Sequence, residues 1–297
     1  MRGWIDSHCH IQGDYGSQWN IPIDPVIDAT GNNVAGLVCV GTDLDTSREG
    51  IDLISQLRNL LPEYPPKIIR EADNASSQLT TDLSKFGLWC TAGIHPHDAA
   101  IWKDSQGELE KLLVATLNDY PGMLVGIGEC GLDYHYDDPP RDQQMAAFAG
   151  QIRLAKEYDL TLVIHAREAW EDLFTLLDTE GVPQRIIMHC FTGGPYELST
   201  ALNFGAYISF SGIVTFSNAE NVREAAMVCP LDSILVETDS PFLSPAPNRG
   251  KQNRPAWVSF VGDEISTLKE MDKTTMQDIT RSNTLRAFKI ADSGKAE

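Results

Sequence analysis

Eight short apolar runs recur along the 297-residue chain, helix-spaced stretches lie between them, and titratable side chains follow most of the runs. Together these predict an α/β fold, a single (β/α)8 barrel, since about 250 residues suffice for that architecture. An open doubly wound sheet is the alternative. The first run, Trp4-Ile5, leads directly into Asp6. Val34–Val40 and Leu88–Ile94 are apolar with little alternation, as expected for parallel strands buried on both faces. Leu109, Leu112, Leu113 and Leu117 then give one helical face. Met123–Ile127 is the fourth run, and Met145, Phe148, Ile152 and Ala155 again share a face. Thr161–Ile164, Arg185–Met188, Ala206–Phe210 and Ile234–Val236 complete the eight. Val258, Val261, Ile265 and Leu268 repeat the helical spacing late in the chain.

One domain over 1–297 is expected, because no internal repeat or composition break divides the chain. Residues 62–86 are polar, Ser/Thr-rich and long for a connection, which suggests a surface excursion or a lid. The tail 291–297 is expected to be disordered. No eighteen-residue apolar run or secretory leader stands out, so no membrane span or export signal is expected. The six cysteines form no Cys-x-x-Cys pair, and most lie in or beside apolar runs. They read as buried, reduced hydrophobes, pointing to a cytoplasmic protein. With 23 basic and 42 acidic residues, the formal charge is −19. That excludes a protein coating nucleic acid through basic surface, but not a nuclease whose bound cations neutralise phosphate.

The seven histidines are clustered. His8 and His10 form one His-x-His pair, His95 and His97 another, and His165 and His189 each end an apolar run. His8/His10, Asp43, His95/His97, Glu129, His165, His189 and Asp239 all follow apolar runs. In a barrel those positions form the C-terminal rim, where active sites sit. Asp43 alone could equally be a cap. Neutral imidazole is the commonest transition-metal ligand. His8, His10, Glu129, His165, His189 and Asp239 therefore make a consistent set for two divalent cations, with Glu129 as the bridge. Gly126-Ile-Gly-Glu-Cys-Gly131 matches a dinucleotide fingerprint, but that motif must open into a helix. Here Leu132–Pro140 reads as loop, so the glycines instead expose Glu129. Gly193-Gly194 reads as a turn or a phosphate cradle.

The ordered series Asp6-Ser-His-Cys-His10, Val40-Gly-Thr-Asp43, Gly93-Ile-His-Pro-His97, Gly128-Glu-Cys-Gly-Leu-Asp-Tyr134, Ile164-His-Ala-Arg-Glu168, His189-Cys-Phe-Thr-Gly193 and Glu237-Thr-Asp-Ser-Pro-Phe-Leu243 resembles the TatD family of metal-dependent hydrolases. Arg249-Gly-Lys-Gln-Asn253 and Ser282-Asn-Thr-Leu-Arg286 continue the match. The family is a group of TIM-barrel deoxyribonucleases. The resemblance implies that His8, His10, Glu129 and Asp239 hold one metal, and that Glu129, His165 and His189 hold the second. It also implies that Arg167 and the Arg249–Arg254 loop meet phosphate oxygens. Three positions depart from the pattern. Asn248 stands where many relatives have His, Cys130 replaces an aliphatic residue, and 62–86 is longer than the usual connection.

The expected activity is cleavage of DNA phosphodiester bonds by a metal-bound hydroxide, with Mg2+, Mn2+ or Zn2+ as cofactor. Asp239 and Glu129 would be the catalytic carboxylates. His95, Arg167, Lys251 and Arg254 would contact substrate. Hydrolysis of another bond, an aminoacyl ester such as D-aminoacyl-tRNA, a lactone or an amide, is a second possibility on the same metals. A metal-binding scaffold without turnover is a third. No membrane or obligate protein partner is evident in the sequence, and a monomer is expected.

Overall fold

The structure is a computed structural model and describes residues 3–63, 83–136 and 138–292. Its eight strands are all parallel and ordered β1 to β8 in sequence order. They are β1 (Trp4–Cys9), β2 (Val34–Val40), β3 (Gly87–Ala92), β4 (Leu124–Asp133), β5 (Thr161–Arg167), β6 (Ile186–Met188), β7 (Tyr207–Phe210) and β8 (Ile234–Val236). The ring closes just beyond β8: Cys9 bridges Ser240, His10 N–H donates to Ser240 O, and Asp239 N–H donates to His8 O. This is the TIM barrel the apolar runs predict.

Helices α1 (Asp24–Gly31), α2 (Leu44–Leu60), α3 (Trp102–Asp119), α4 (Arg141–Glu157), α5 (Trp170–Glu180), α6 (Pro195–Asn203), α7 (Glu220–Val228), α8 (Val258–Leu268) and α9 (Lys273–Ala287) surround the strands. The three helical faces read from spacing fall on α3, α4 and α8. Leu109, Leu113, Phe148, Ile152, Val261 and Ile265 are fully buried in the layer between strands and helices. A second cluster joins Val38, Val125, Val163, Ile187 and Leu235 from five strands, with Phe288 packed against them. Side chains two residues apart on a strand share a face. His165 therefore lies on the same side of the sheet as Val163, and His189 and Glu237, one residue beyond β6 and β8, continue the faces of Ile187 and Leu235.

Two local expectations are corrected. β4 does not stop at Ile127 but runs to Asp133, with a register shift between Ile127 and Cys130 in its pairing to β5. Glu129 and Asp133 are thus strand residues, and Leu132–Asp133 is not loop. The Gly-x-Gly-x-x-Gly motif lies inside this strand, so it opens no helix. β1 likewise continues to Cys9, which places His8 within the strand. Asp43 is a cap: its carboxylate accepts from Thr46 N–H at 2.7 Å at the start of α2, and Thr46 Oγ1 accepts from Asp43 N–H. Gly194 caps α6, its N–H donating to Glu197. Of the 62–86 segment, Leu61–Glu63 and Leu83–Lys85 are short 3-10 turns, and 64–82 lies outside the described residues, as does 293–297 of the tail.

Candidate metal centre

Glu129 is the hub. Its Oε1 lies 2.9 Å from His165 Nδ1, 2.9 Å from His189 Nε2 and 3.4 Å from His95 Nε2. Its Oε2 lies 3.5 Å from His8 Nε2 and 3.9 Å from His10 Nε2. Asp239 Oδ1 is 3.4 Å from His10 Nε2 and 3.8 Å from His8 Nε2. All six residues of the expected metal set therefore converge, and His95 joins them. Three triads of donor atoms each lie within 4.8 Å of one another: His8, Glu129 and His189; His8, His10 and Asp239; His95, Glu129 and His165. The triads group His189 with His8 and His165 with His95, whereas the resemblance groups His189 with His165.

The strands also orient the rings. An imidazole nitrogen facing a carbonyl or carboxylate carries its proton, leaving the other nitrogen as a lone pair. His10 Nδ1 lies 2.8 Å from Val40 O, His189 Nδ1 3.0 Å from Glu237 Oε1, and His165 Nε2 3.0 Å from Asp133 Oδ2. His10 Nε2 is then a lone pair facing Glu129 and Asp239 oxygens, while His165 and His189 each stand between two carboxylates and, as neutral rings, can offer a proton to only one of them. Lone pair against lone pair is repulsive unless a cation or a proton sits between. Among the described residues no lysine or arginine pairs with either carboxylate; the ion-pair partners are histidines. The donor set fits divalent cations on this observation. His8 Nδ1 is buried without a partner, so nothing outside the cluster holds its ring.

Electrostatics agree. Burial disfavours the charged His189 ring, yet the Glu129 and Glu237 carboxylates outweigh it and raise its pKa well above the ordinary value. Burial likewise opposes charge on His165 and His10, and Asp133 with Glu129, and Asp239, raise them. Burial would push Glu129 up, but His189 and His95 with the other rings hold it well below the usual carboxylate range. His95 differs: burial lowers it to about 4 against the pull of Glu129. His8 is also lowered, by burial and by His189 beside it.

Three supporting carboxylates were quoted in the motifs but given no role by sequence reasoning. Glu237 is fully buried and accepts from both His189 and the Cys190 N–H. Asp133 receives His165 and, at 3.2 Å, His97. Asp6 accepts from Thr238 N–H at 2.9 Å, from Thr238 Oγ1 at 2.6 Å and from His8 N–H at 3.3 Å. It thereby ties the segment after β8 to β1. Glu237 was detectable by period two, since it follows Leu235 by two residues at the end of β8.

A cavity of about 940 Å3 opens over the centre. Tyr15, Tyr136, Trp170 and Phe242 form its aromatic walls, with His95 and Arg167 beside them. Tyr136 and Phe242 are 63% and 50% exposed, leaving faces free for a ligand. Arg167 lies 5.2 Å over the Tyr136 ring. Lys251 and Arg254, expected to contact substrate, are not among the side chains that line this cavity. Asn253 donates to Thr238 O and Phe242 O, pinning the loop back on itself. Arg254 then reaches Asp28 at 3.5 Å and stacks 4.8 Å from Trp257, while Lys251 donates to Asn248 Oδ1 at 3.2 Å. Cys130 is fully buried, its Sγ donating to Val163 O, which makes it a packing residue. All six cysteines are free thiols, and among the described residues no helix is long and apolar enough to cross a membrane.

A parallel barrel whose rim gathers imidazoles and carboxylates around one glutamate defines the class of metal-dependent hydrolases. The chain belongs to the TatD family: the model for TatD related DNase matches residues 5–289. It is 35% identical over 288 residues to the uncharacterized metal-dependent hydrolase YabD of Bacillus subtilis (strain 168), covering 96% of this chain and 99% of that one. It is 32% identical over 288 residues to the uncharacterized metal-dependent hydrolase YcfH of Escherichia coli (strain K12), covering 96% of each. The crystal structure of YJJV, a TatD homolog from Escherichia coli K12, superposes with a TM-score of 0.75 at 23% identity, over 97% of this chain and 98% of that one.

Proposed function

We propose that this hydrolase cleaves DNA phosphodiester bonds with two divalent cations held by His8, His10, Glu129, His165, His189 and Asp239. The observation that carries the reading is the division of Glu129: Oε1 faces one set of imidazoles and Oε2 another, as a bridging carboxylate requires. Divalent cations bound there would lower the pKa of water and offset phosphate charge. The side chains supply the rest. Asp239 stands at the cavity wall, beside His10, where it can orient and deprotonate an attacking water. Arg167 offers a fixed, permanently charged fork for phosphate oxygens. Tyr136, Trp170 and Phe242 offer ring faces on which bases stack, an interaction of about 1–3 kcal/mol per base. The family name supports DNA as substrate, and the net charge of −19 confines nucleic-acid contact to this local site.

The test is a substrate panel of DNA, RNA, bis-p-nitrophenyl phosphate, aminoacyl esters and lactones, each with Mg2+, Mn2+ or Zn2+. DNA and the phosphodiester should be hydrolysed and the activity lost to chelator. Turnover of carboxylic esters or lactones alone would replace the phosphodiesterase reading. Metal binding without turnover of any member would favour a scaffold.

A further inference from the structure

Five imidazoles crowd Glu129, and the hydrogen bonds on the far sides of four of them are of two kinds, His8 Nδ1 having no partner. His10, His165 and His189 each face a carbonyl or carboxylate with the nitrogen turned away from the centre. The Val40 carbonyl can only accept, so His10 holds its proton there and turns a lone pair inward; His165 and His189 are set between an outer carboxylate and Glu129. His95 is built the other way round. Its Nδ1 accepts the backbone N–H of His97 at 3.1 Å. A backbone N–H can only donate, so Nδ1 carries no proton, and the neutral ring must bear it on Nε2. Local sequence makes this arrangement. His95 is the N-cap of the 3-10 turn Pro96–Ile101, and Pro96 has no N–H, so His97 supplies the first amide to be capped.

The His95 Nε2 lies 3.4 Å from Glu129 Oε1, and Nε2, Glu129 and His165 are spaced closely enough to hold a metal. Distance alone would make His95 a ligand. The protonation pattern opposes this: the inward atom of His95 is an N–H, and ligation would require the ring to give up its cap. We infer that His95 is a catalytic residue of the donor kind, presenting a tautomer-locked Nε2–H to an anionic oxygen of the scissile phosphate. It lines the same cavity as Arg167, with its side chain 13% exposed. The ring stays neutral and donates a hydrogen bond; no proton is transferred. Removing one such preorganised donor from an active site typically costs about 10²–10³ in kcat. The inference rests on the phosphodiesterase reading for its substrate.

Two variants separate the cap from the donor. His95→Asn keeps a side chain that caps the turn but is too short to reach the substrate oxygen. His95→Gln restores an N–H at nearly the same reach. In the metal-loaded enzyme, His95→Asn should lower kcat on bis-p-nitrophenyl phosphate by about 10²–10³, with metal content per chain unchanged, and His95→Gln should recover part of the loss. Nitrogen-15 NMR of the Zn2+-loaded wild-type protein should show His95 protonated at Nε2 and not at Nδ1. Addition of inorganic phosphate should shift the Nε2–H signal. Loss of bound metal in His95→Asn, or a deprotonated Nε2 in the Zn2+ form, would overturn the inference by making His95 a ligand. Failure of the wild-type enzyme on every phosphodiester would refute the proposed function instead. In that case the NMR signal still decides His95, and a signal insensitive to phosphate would overturn the donor role.

Discussion

Replacing Glu237 with glutamine isolates how a buried carboxylate tunes the centre without touching a cation. Glu237 is fully buried, and its Oε1 takes both His189 Nδ1–H at 3.0 Å and Cys190 N–H at 2.8 Å. Its Oε2 has no partner. Glutamine is nearly isosteric, and its amide oxygen can accept the same two donors. Its NH2 would then occupy the place of the unpartnered oxygen, while the negative charge beside His189 disappears. Carboxylates behind ligating histidines raise their basicity, and their loss typically costs about 10–100-fold in metal affinity or activity. At about 1.4 kcal/mol per decade, that is roughly 1.4–2.8 kcal/mol of metal binding. The metal-free fold should respond less, since the variant exchanges an unpartnered buried oxygen for an unpartnered amide and removes a buried charge. Calorimetric titration of Zn2+ or Mn2+ into metal-free wild type and variant measures the first effect, and thermal unfolding of the metal-free forms the second. Unchanged metal affinity would show that His189 does not depend on Glu237, and would undermine its assignment as a ligand. An equal loss in metal-free stability would reduce Glu237 to a structural residue.

Glu129→Ala should lower bound metal and abolish hydrolysis together, because one carboxylate serves both donor sets; elemental analysis with a rate assay checks both. Asp43→Ala removes the α2 cap and should cost about 0.5–2 kcal/mol in denaturant unfolding, with metal content unchanged. Burial pushes the Cys39 thiol up to about 12 and raises Cys9, Cys90, Cys130 and Cys190 as well. A thiol reagent at neutral pH should therefore label the native protein slowly and all six cysteines only after unfolding. Arg167→Ala should raise the KM for DNA and reduce the salt slope by about one ion, whereas the double variant Lys251→Ala/Arg254→Ala should do neither.

The barrel was legible because its logic is local and periodic. Unbroken apolar runs such as Val34–Val40 mark strands buried on both faces, and the spacing of Phe148, Ile152 and Ala155 marks a helix that must cover them. The convergence of the candidate metal residues was legible for a related reason, since each of their side chains sits within or just beyond a run and barrel topology brings all such ends to one rim. The reach of β4 to Asp133 was not legible. Gly128 and Gly131 interrupt the apolar pattern, and parallel pairing with β5, shifted in register, is what keeps the chain extended there.

Sequence by itself determined the architecture, the family and the identity of the residues around Glu129, because these follow from periodicity and from the chemistry of His, Asp and Glu side chains. Tertiary structure decided which nitrogen each imidazole offers, since that depends on partners far away in the chain: Glu237 for His189, Asp133 for His165 and Val40 for His10. It also paired Arg254 with Asp28, on a loop that Asn253 anchors to Thr238 and Phe242. A basic residue a few positions from the centre in sequence is carried to the cavity or away from it by the hydrogen bonds of the loop, and those bonds exist only once the chain has folded.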